Sequence, residues 1–396
     1  MIERIKKLVS SVKDEAILNR RHLHAFPELS FHEKETGLYI KKVLQSYGID
    51  YEEVANTGVI AKVEGRKSAN KDTVILRADI DALPIHEENA DDFKSTNDGV
   101  MHACGHDFHT ANLLGVLKIL KDVADEFSGM VIGIFQPAEE KIPGGAVSVL
   151  QSGKLPENNP NIKGIIGLHV FPRLEVGKIG IRPGKFMASS DEIFVTITGK
   201  GGHGAQPHQN IDPVVIAAQL ILSLQQLVSR SANPAIPTVL SFGKVIANGA
   251  TNVIPNQVYL EGTFRTMDED WREQALALLE KQIRELPAIY GASVDLEVRK
   301  GYPFLINDAG LTQEVRNYLL DYVSADGIAD MDIWMAAEDF AYYSHRYPSL
   351  FYMVGVRNEV KGITSDLHTP TFRIDEDAFD YAMGSMLYTV LKMLGR

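Results

Sequence analysis

Residues 102–107 read His-Ala-Cys-Gly-His-Asp, and Cys104 is the only cysteine among 396 residues. A thiolate two positions from the His106 imidazole makes a donor pair for a borderline divalent ion, because a turn can present both side chains inward. Further donors follow at wide spacing: Glu139 and Glu140 in QPAEE, His169 in GLHV and His368 in SDLHTP. Taken singly these are ordinary. C-x-H is also what a buried cysteine beside surface histidines presents, and a Glu-Glu pair is usually a solvated loop. Their conjunction points to a metal centre. Neighbouring residues on a strand face opposite ways, whereas in a loop past a strand end Glu139 and Glu140 can both face one site. One carboxylate would then hold metal and the other would accept a proton from water, whose pKa a bound ion lowers.

Donors so far apart meet only if the fold gathers them. Apolar runs at 72–80, 129–136 and 162–170 read as strands, and the stretches 109–123 and 144–152 between them as helices. Helices are expected before them at 3–25, stopped by Pro27, and at 33–47, stopped by Gly48. Strands alternating with helices imply an α/β domain with a mainly parallel sheet. The candidate donors fall at or just past the carboxyl ends of its strands, where open α/β sheets build ligand sites. After residue 186 the pattern becomes strand 191–199, a helix capped by Asp212 with Pro213 first, strands 236–246 and 256–266, helix 268–288 and strand 292–300. That β-α-β-β-α-β order is the split βαβ of ferredoxin-like α+β domains. The expected division is a catalytic domain in two segments, 1–186 and 298–396, around an inserted domain at 187–297. GKGGHG at 199–204 matches G-x-G-x-x-G, but Pro207 and Asp212 precede the next helix and no acid lies between Asp212 and Glu261. It does not read as a dinucleotide site.

Bulk composition narrows the function. A formal charge of −12 disfavours nucleic acid and anionic membrane partners. One cysteine rules out an intramolecular disulfide, which suits a reducing compartment. The charged N-terminal stretch lacks a signal-peptide core, and no run of about 18 apolar residues appears anywhere, so no membrane span is expected. A cytoplasmic location is expected.

HACGHDFHTANLLG, FQPAEE, GLHVFP, GGHGAQPH, NVIPN, GTFRT and AEDFAYY, with RRHLHAFPELSFHEKET before them, occur in one order along the chain. Together they resemble the aminoacylase/hippurate hydrolase branch of the dinuclear metallopeptidases, which includes hydrolases of indoleacetyl–amino acid conjugates. The resemblance covers nearly the whole chain. It implies two divalent ions per chain (zinc, manganese, cobalt or nickel) held by Cys104, His106, Glu140, His169 and His368, with Glu139 as general base and then acid. Asp81 falls where a carboxylate orients a ligand, and Asp79 where the wider superfamily has a metal-binding histidine, which leaves its role open. The inserted domain would act as lid and dimerisation domain. His203 would reach the partner's active site, and Asn252 and Arg265 would meet the substrate carboxylate; by sequence alone Arg265 also fits a surface strand cation. The implied reaction is hydrolysis of a small N-acyl amino acid by a homodimer. A dipeptidase or carboxypeptidase, and a non-catalytic N-acyl amino acid binder, are the alternatives. Ala336, Ala337 and Asn112 depart from residues frequent in the family and bear on the acyl pocket.

Overall fold

The computed structural model describes residues 1–157 and 159–395. They form two compact units, one of Met1–Phe186, Ile306–Asp332 and Asp339–Arg396, the other of Met187–Leu305 with Ile333–Glu338. The sequence reading closes the insertion at residue 297. In the structure the strand Ser293–Lys300 carries the second unit past that point, and the short segment 333–338 rejoins it. Backbone bonds secure that return: the Ala188 N–H donates to the carbonyls of Trp334 and Ala336, at 3.2 and 2.9 Å.

The first unit is built on an eight-stranded mixed sheet. Its first six strands in chain order are β1 (Asp50–Val54), β2 (Gly58–Glu64), β3 (Thr73–Asp79), β4 (Met130–Gln136), β5 (Ile162–Glu175) and β6 (Ile179–Ile181). The centre is parallel: β4 pairs with β3, β3 with β5, and β5 with the strand Ser349–Arg357. Every residue of β3 is buried, and all of β4 but its first. That explains why both read as continuous apolar runs rather than alternating ones. Antiparallel pairs flank this centre, and the edge strand Ile328–Asp330 runs parallel to β6. The β1–β2 hairpin pairs with β4, and β6 pairs with Ser349–Arg357. The hairpin escaped the sequence reading because only β2 is buried, while β1 is polar and largely exposed. Helix α1 (Ile2–Ala25) and helix α3 (His106–Asp122) share one apolar core with the C-terminal helix Ala378–Met393. Between them in the chain lies α2 (Lys34–Ser46).

The second unit carries four antiparallel strands, ordered Thr238–Ile246, Gln257–Thr266, Asp191–Thr198, Ser293–Lys300. Burial alternates strictly along Asp191–Thr198, so one face meets the core. Helices Pro213–Gln226 and Glu269–Ile289 cover that face, with N-caps at Asp212 and Asp268 accepting from Val214, Val215 and Trp271. One stretch, Pro213–Ser231, is long and apolar enough to cross a membrane by length and composition, where the sequence reading found no apolar run of that length. Ile216, Ala217, Leu220, Leu224 and Leu227 tie it to the sheet's core.

Candidate metal centre

Cys104 and His106 reach the first unit's core through a left-handed turn. Gly105 has φ of 89°, and a Cβ there would come within 2.5 Å of Val170 Cγ2. Only glycine fits. The turn launches α3 at His106, three residues earlier than the apolar periodicity suggested, so His106 projects from the first helical turn. His169 does not end its strand as expected, since β5 continues to Glu175. The pairing of β3 with β5 stops at Arg77–Gly167, however, so His169 still stands at the carboxyl end of its neighbour. Glu139 and Glu140 follow β4 after Ala138, a non-glycine residue at φ 53°. His368 is held at φ 59°, and its N–H donates to the Ala103 carbonyl at 2.9 Å. Such backbone conformations cost roughly 1–3 kcal/mol and gather at functional sites.

The five candidate ligands converge. Donor atoms of Cys104, His106 and His169 lie within 4.8 Å of one another, and so do those of Cys104, Glu140 and His368; Cys104 belongs to both groups. Its Sγ is 3.3 Å from His169 Nε2 and 3.3 Å from His368 Nε2. Glu139 joins His106 and Glu140 in a third group. Buried supports fix the imidazoles. His106 Nδ1 donates to Asp81 Oδ1 at 3.2 Å, and His169 Nδ1 donates to the Val170 carbonyl at 2.7 Å. Each ring therefore turns its Nε2 toward the cluster. His106 Nε2 and Glu140 Oε1 are buried without a hydrogen-bond partner. Buried polar atoms of that kind are costly unless a partner completes them, and an ion that displaces the His106 proton would do so for both. This donor set fits a pair of divalent ions sharing a thiolate.

The electrostatics agree. Burial works against charge on His106, yet Asp79, Asp81 and Glu140 outweigh it and raise its pKa to about 10. Burial, then Glu140, Glu139 and Asp79, push the Cys104 thiol well above its ordinary value. Burial and the neighbouring imidazoles hold His169 well below 6.5, so it stays neutral. Asp81 is driven up by burial but held below the usual carboxylate value by His106, the Glu140 N–H and the Ser30 hydroxyl. The cluster thus favours added positive charge. A divalent ion would compete with the His106 proton and displace that of the thiol.

The remaining candidates belong to the second unit. His203 is exposed on the two-residue strand Gly202–His203, opposite Val253, and its Nδ1 accepts from the Ala205 N–H at 3.1 Å. Asn252 is exposed beside it, its carbonyl accepting from Gly204 at 2.8 Å. Arg265, on strand Gln257–Thr266, is half-buried and donates to the Met335 carbonyl at 3.1 Å. Burial lowers its pKa.

Sequence reasoning missed the residues behind the cluster. Arg77 is 2% exposed in the middle of TVILRAD and holds Asp79 and Asp339. A cation inside an apolar strand was the available signal. His109 and Asp339 carried no such mark.

A model of peptidase family M20/M25/M40 matches residues 75–392. Over 306 residues, 77% of this chain and 81% of the relative, the sequence is 44% identical to the N-acyl-L-amino acid amidohydrolase of Geobacillus stearothermophilus. It is 40% identical over 371 residues to the N-acetyl-L-cysteine deacetylase of Bacillus subtilis (strain 168), covering 93% of this chain and 86% of that protein. The solved structure of a Bacillus subtilis protein described as a dinuclear metal binding peptidase matches with a TM-score of 0.79 at 34% identity, over 97% of this chain and 99% of the other.

Proposed function

The chain belongs to peptidase family M20/M25/M40, and from that premise we propose that it hydrolyses the amide bond of N-acyl amino acids at a dinuclear metal centre. One observation carries the reading: two groups of donors, one buried and one reaching the surface at His368, share Cys104, and the buried atoms His106 Nε2 and Glu140 Oε1 have no hydrogen-bond partner. Cys104, His106, Glu140, His169 and His368 would hold the ions. Thiolate, imidazole and carboxylate donors together admit zinc, manganese, cobalt or nickel. Bound there, two ions would polarise the scissile carbonyl and make a water acidic enough to lose its proton near neutral pH.

The chain's own residues do the rest. Glu139 is 6% exposed and sits with His106 and Glu140. It takes the proton from the attacking water and returns it to the leaving amine, so that a carboxylate and a free amino acid result. Asp81 keeps His106 in its ligating tautomer. The antiparallel unit has the strand order of a ferredoxin-like domain and is read as the lid. From it His203 stabilises the oxyanion of a partner subunit's substrate, and Asn252 and Arg265 receive the substrate carboxylate. Dimerisation through this unit has physical support within it. Thr238–Ile246 is an edge strand, and Val214, Val215 and Leu222 leave an apolar helix face 41%, 63% and 73% exposed. A lone ligating thiol also needs a reducing setting, in keeping with a cytoplasmic location.

The test is elemental analysis of protein purified without chelator, followed by assay on acetyl- and benzoyl-amino acids and dipeptides. About two ions per chain and preference for the acyl substrates are expected. Preference for dipeptides would make the chain a peptidase. Less than one ion, unrestored by dialysis against zinc or manganese, would sink the metal centre.

A further inference from the structure

Behind the proposed ligands lies a buried chain of polar groups that the reaction scheme does not use. The Val170 N–H donates to His109 Nε2 at 3.0 Å. That nitrogen must therefore be unprotonated, so the His109 proton sits on Nδ1, which donates to Asp79 Oδ1 at 2.6 Å. Asp79 Oδ2 accepts from Arg77 Nη1 at 2.6 Å. The same guanidinium reaches Asp339 Oδ1 through Nη2 at 2.7 Å and Gln136 Oε1 through Nε at 3.0 Å. Gln136 Nε2 and the Ala146 N–H also donate to Asp339, and the Asp339 N–H points to Glu139 Oε1 at 3.4 Å. At the other end, Val170 is the residue whose carbonyl fixes His169.

We propose that Asp79, His109, Arg77 and Asp339 form a positioning relay that sets the ligand His169 at one end and the base Glu139 at the other, and that Asp79 is not itself a metal ligand. The inference rests on the dinuclear reading of the site. Asp79, His106 and His109 do form a group close enough to hold an ion, and Asp79 Oδ2 is 3.8 Å from His106 Nε2. Yet both Asp79 oxygens and both His109 nitrogens are already committed to short, buried bonds. A ligand role would have to use the remaining lone pairs of oxygens already held by Arg77 and His109, in an ion pair in which Arg77 is 2% and Asp79 0% exposed. Where the wider superfamily has a ligating histidine, this chain has a carboxylate that faces inward and orients a ligand indirectly.

Asp79→Asn tests the relay. The amide cannot satisfy both neighbours: its oxygen toward His109 leaves its N–H groups against Arg77, and the reverse forces His109 to surrender the Val170 bond. Chelator-stripped full-length protein is titrated with Zn2+ alone and with Mn2+ alone, wild type beside variant, and ion content is measured after saturation. Kinetics on an N-acetyl amino acid follow. Two ions per chain should remain, with affinity for at least one weakened about 10–100-fold, as expected for removal of a group that orients a ligand. The kcat should fall while KM changes little. Loss of one ion at saturating metal would make Asp79 a ligand. Unchanged affinity and kcat with only a lower Tm would reduce the network to packing. His109→Gln, milder in the core, should move affinity and kcat in the same direction by less; no change in either would also overturn the relay. Wild-type protein that takes up fewer than two ions would instead overturn the dinuclear reading, and the same titration shows which has failed.

Discussion

Three buried ligand candidates of the first unit and two exposed candidates of the second are held in opposite ways, while His368 of the first unit is itself exposed. His106, Cys104 and His169 are 0%, 7% and 5% exposed, and each imidazole is locked by a bond to a carboxylate or carbonyl on the side away from the cluster. His203 is exposed on the two-residue strand Gly202–His203 and Asn252 is exposed in the turn before Val253, and the His203 ring accepts from a residue only two positions away. Burial makes an unpaired acceptor expensive, so a site built in the core announces itself by the atoms it leaves orphaned. An exposed loop offers no such mark, because water satisfies its polar groups at little cost. The two groups should therefore respond differently to substitution.

The largest expected effect is at Glu139. Glu139→Gln keeps the shape and removes the proton carrier, so ion content should stay near two per chain while kcat falls by about 10²–10⁴-fold. Near-normal turnover would remove Glu139 from its role. His203→Ala is the matching substitution in the other unit. If His203 stabilises the oxyanion, kcat should fall about 10²–10³-fold with Tm and ion content unchanged, since an exposed side chain contributes little to folding. If ion content falls with it, the contrast between buried and exposed groups collapses. Mixing the Glu139→Gln and His203→Ala proteins sharpens it further. Recovered activity would come from hybrid dimers with one intact composite site, and no recovery would place His203 and Glu139 in the same subunit's site.

These contrasts also mark what was legible in the sequence. The parallel strands β3, β4 and β5 were readable because two-sided burial leaves unbroken apolar runs. The β1–β2 hairpin was not, since its polar outer strand breaks the run. The wide spacing of Cys104, Glu139, Glu140, His169 and His368 became a site once the strand ends were placed, and the structure brings these residues together. The supporting groups were hidden for a physical reason. His109 lies on a helix whose residues from His106 to Leu117 are all buried, so no polar face set it apart. Asp339 acts through Arg77, a partner 262 positions away in the chain. His203, Asn252 and Arg265 were named by resemblance, and nothing in their local bonding singles them out.

Asp81 separates support from ligation within the first unit. It accepts from His106 Nδ1, from the Ser30 hydroxyl at 2.7 Å and from the Glu140 N–H at 2.9 Å, so one carboxylate steadies two candidate ligands. Asp81→Asn should weaken metal binding or activity about 10–100-fold without abolishing either. An effect as large as that of Glu139→Gln would mean that Asp81 takes a direct part. No effect would mean that the buried bonds behind the imidazoles do not set the site, and the contrast between the units would lose its cause.

The smallest effect concerns stability, one layer further from the donor cluster. His24 Nδ1 lies 2.9 Å from Asp107 Oδ2 and Nε2 lies 3.1 Å from Glu87 Oε1, so only the doubly protonated ring can donate to both. Arg20 donates to the same Asp107 oxygen at 3.1 Å and opposes that charge. Burial also opposes it, but Asp107 and Glu87 prevail and raise His24 to about 9. The folded value lies above the ordinary 6.5. The contribution is therefore complete below about pH 6.5, shrinks as pH rises, and is gone once pH passes through 9. Wild-type Tm should fall more steeply between pH 6 and pH 9.5 than that of His24→Gln, by about 2–4 °C for each kcal/mol involved. Since Asp107 sits beside His106 in the first turn of α3, the loss should loosen the support of the metal loop before it unfolds the second unit. Parallel pH slopes in the two proteins would show that the His24 charge carries no stability, and that the buried support stops at Asp81.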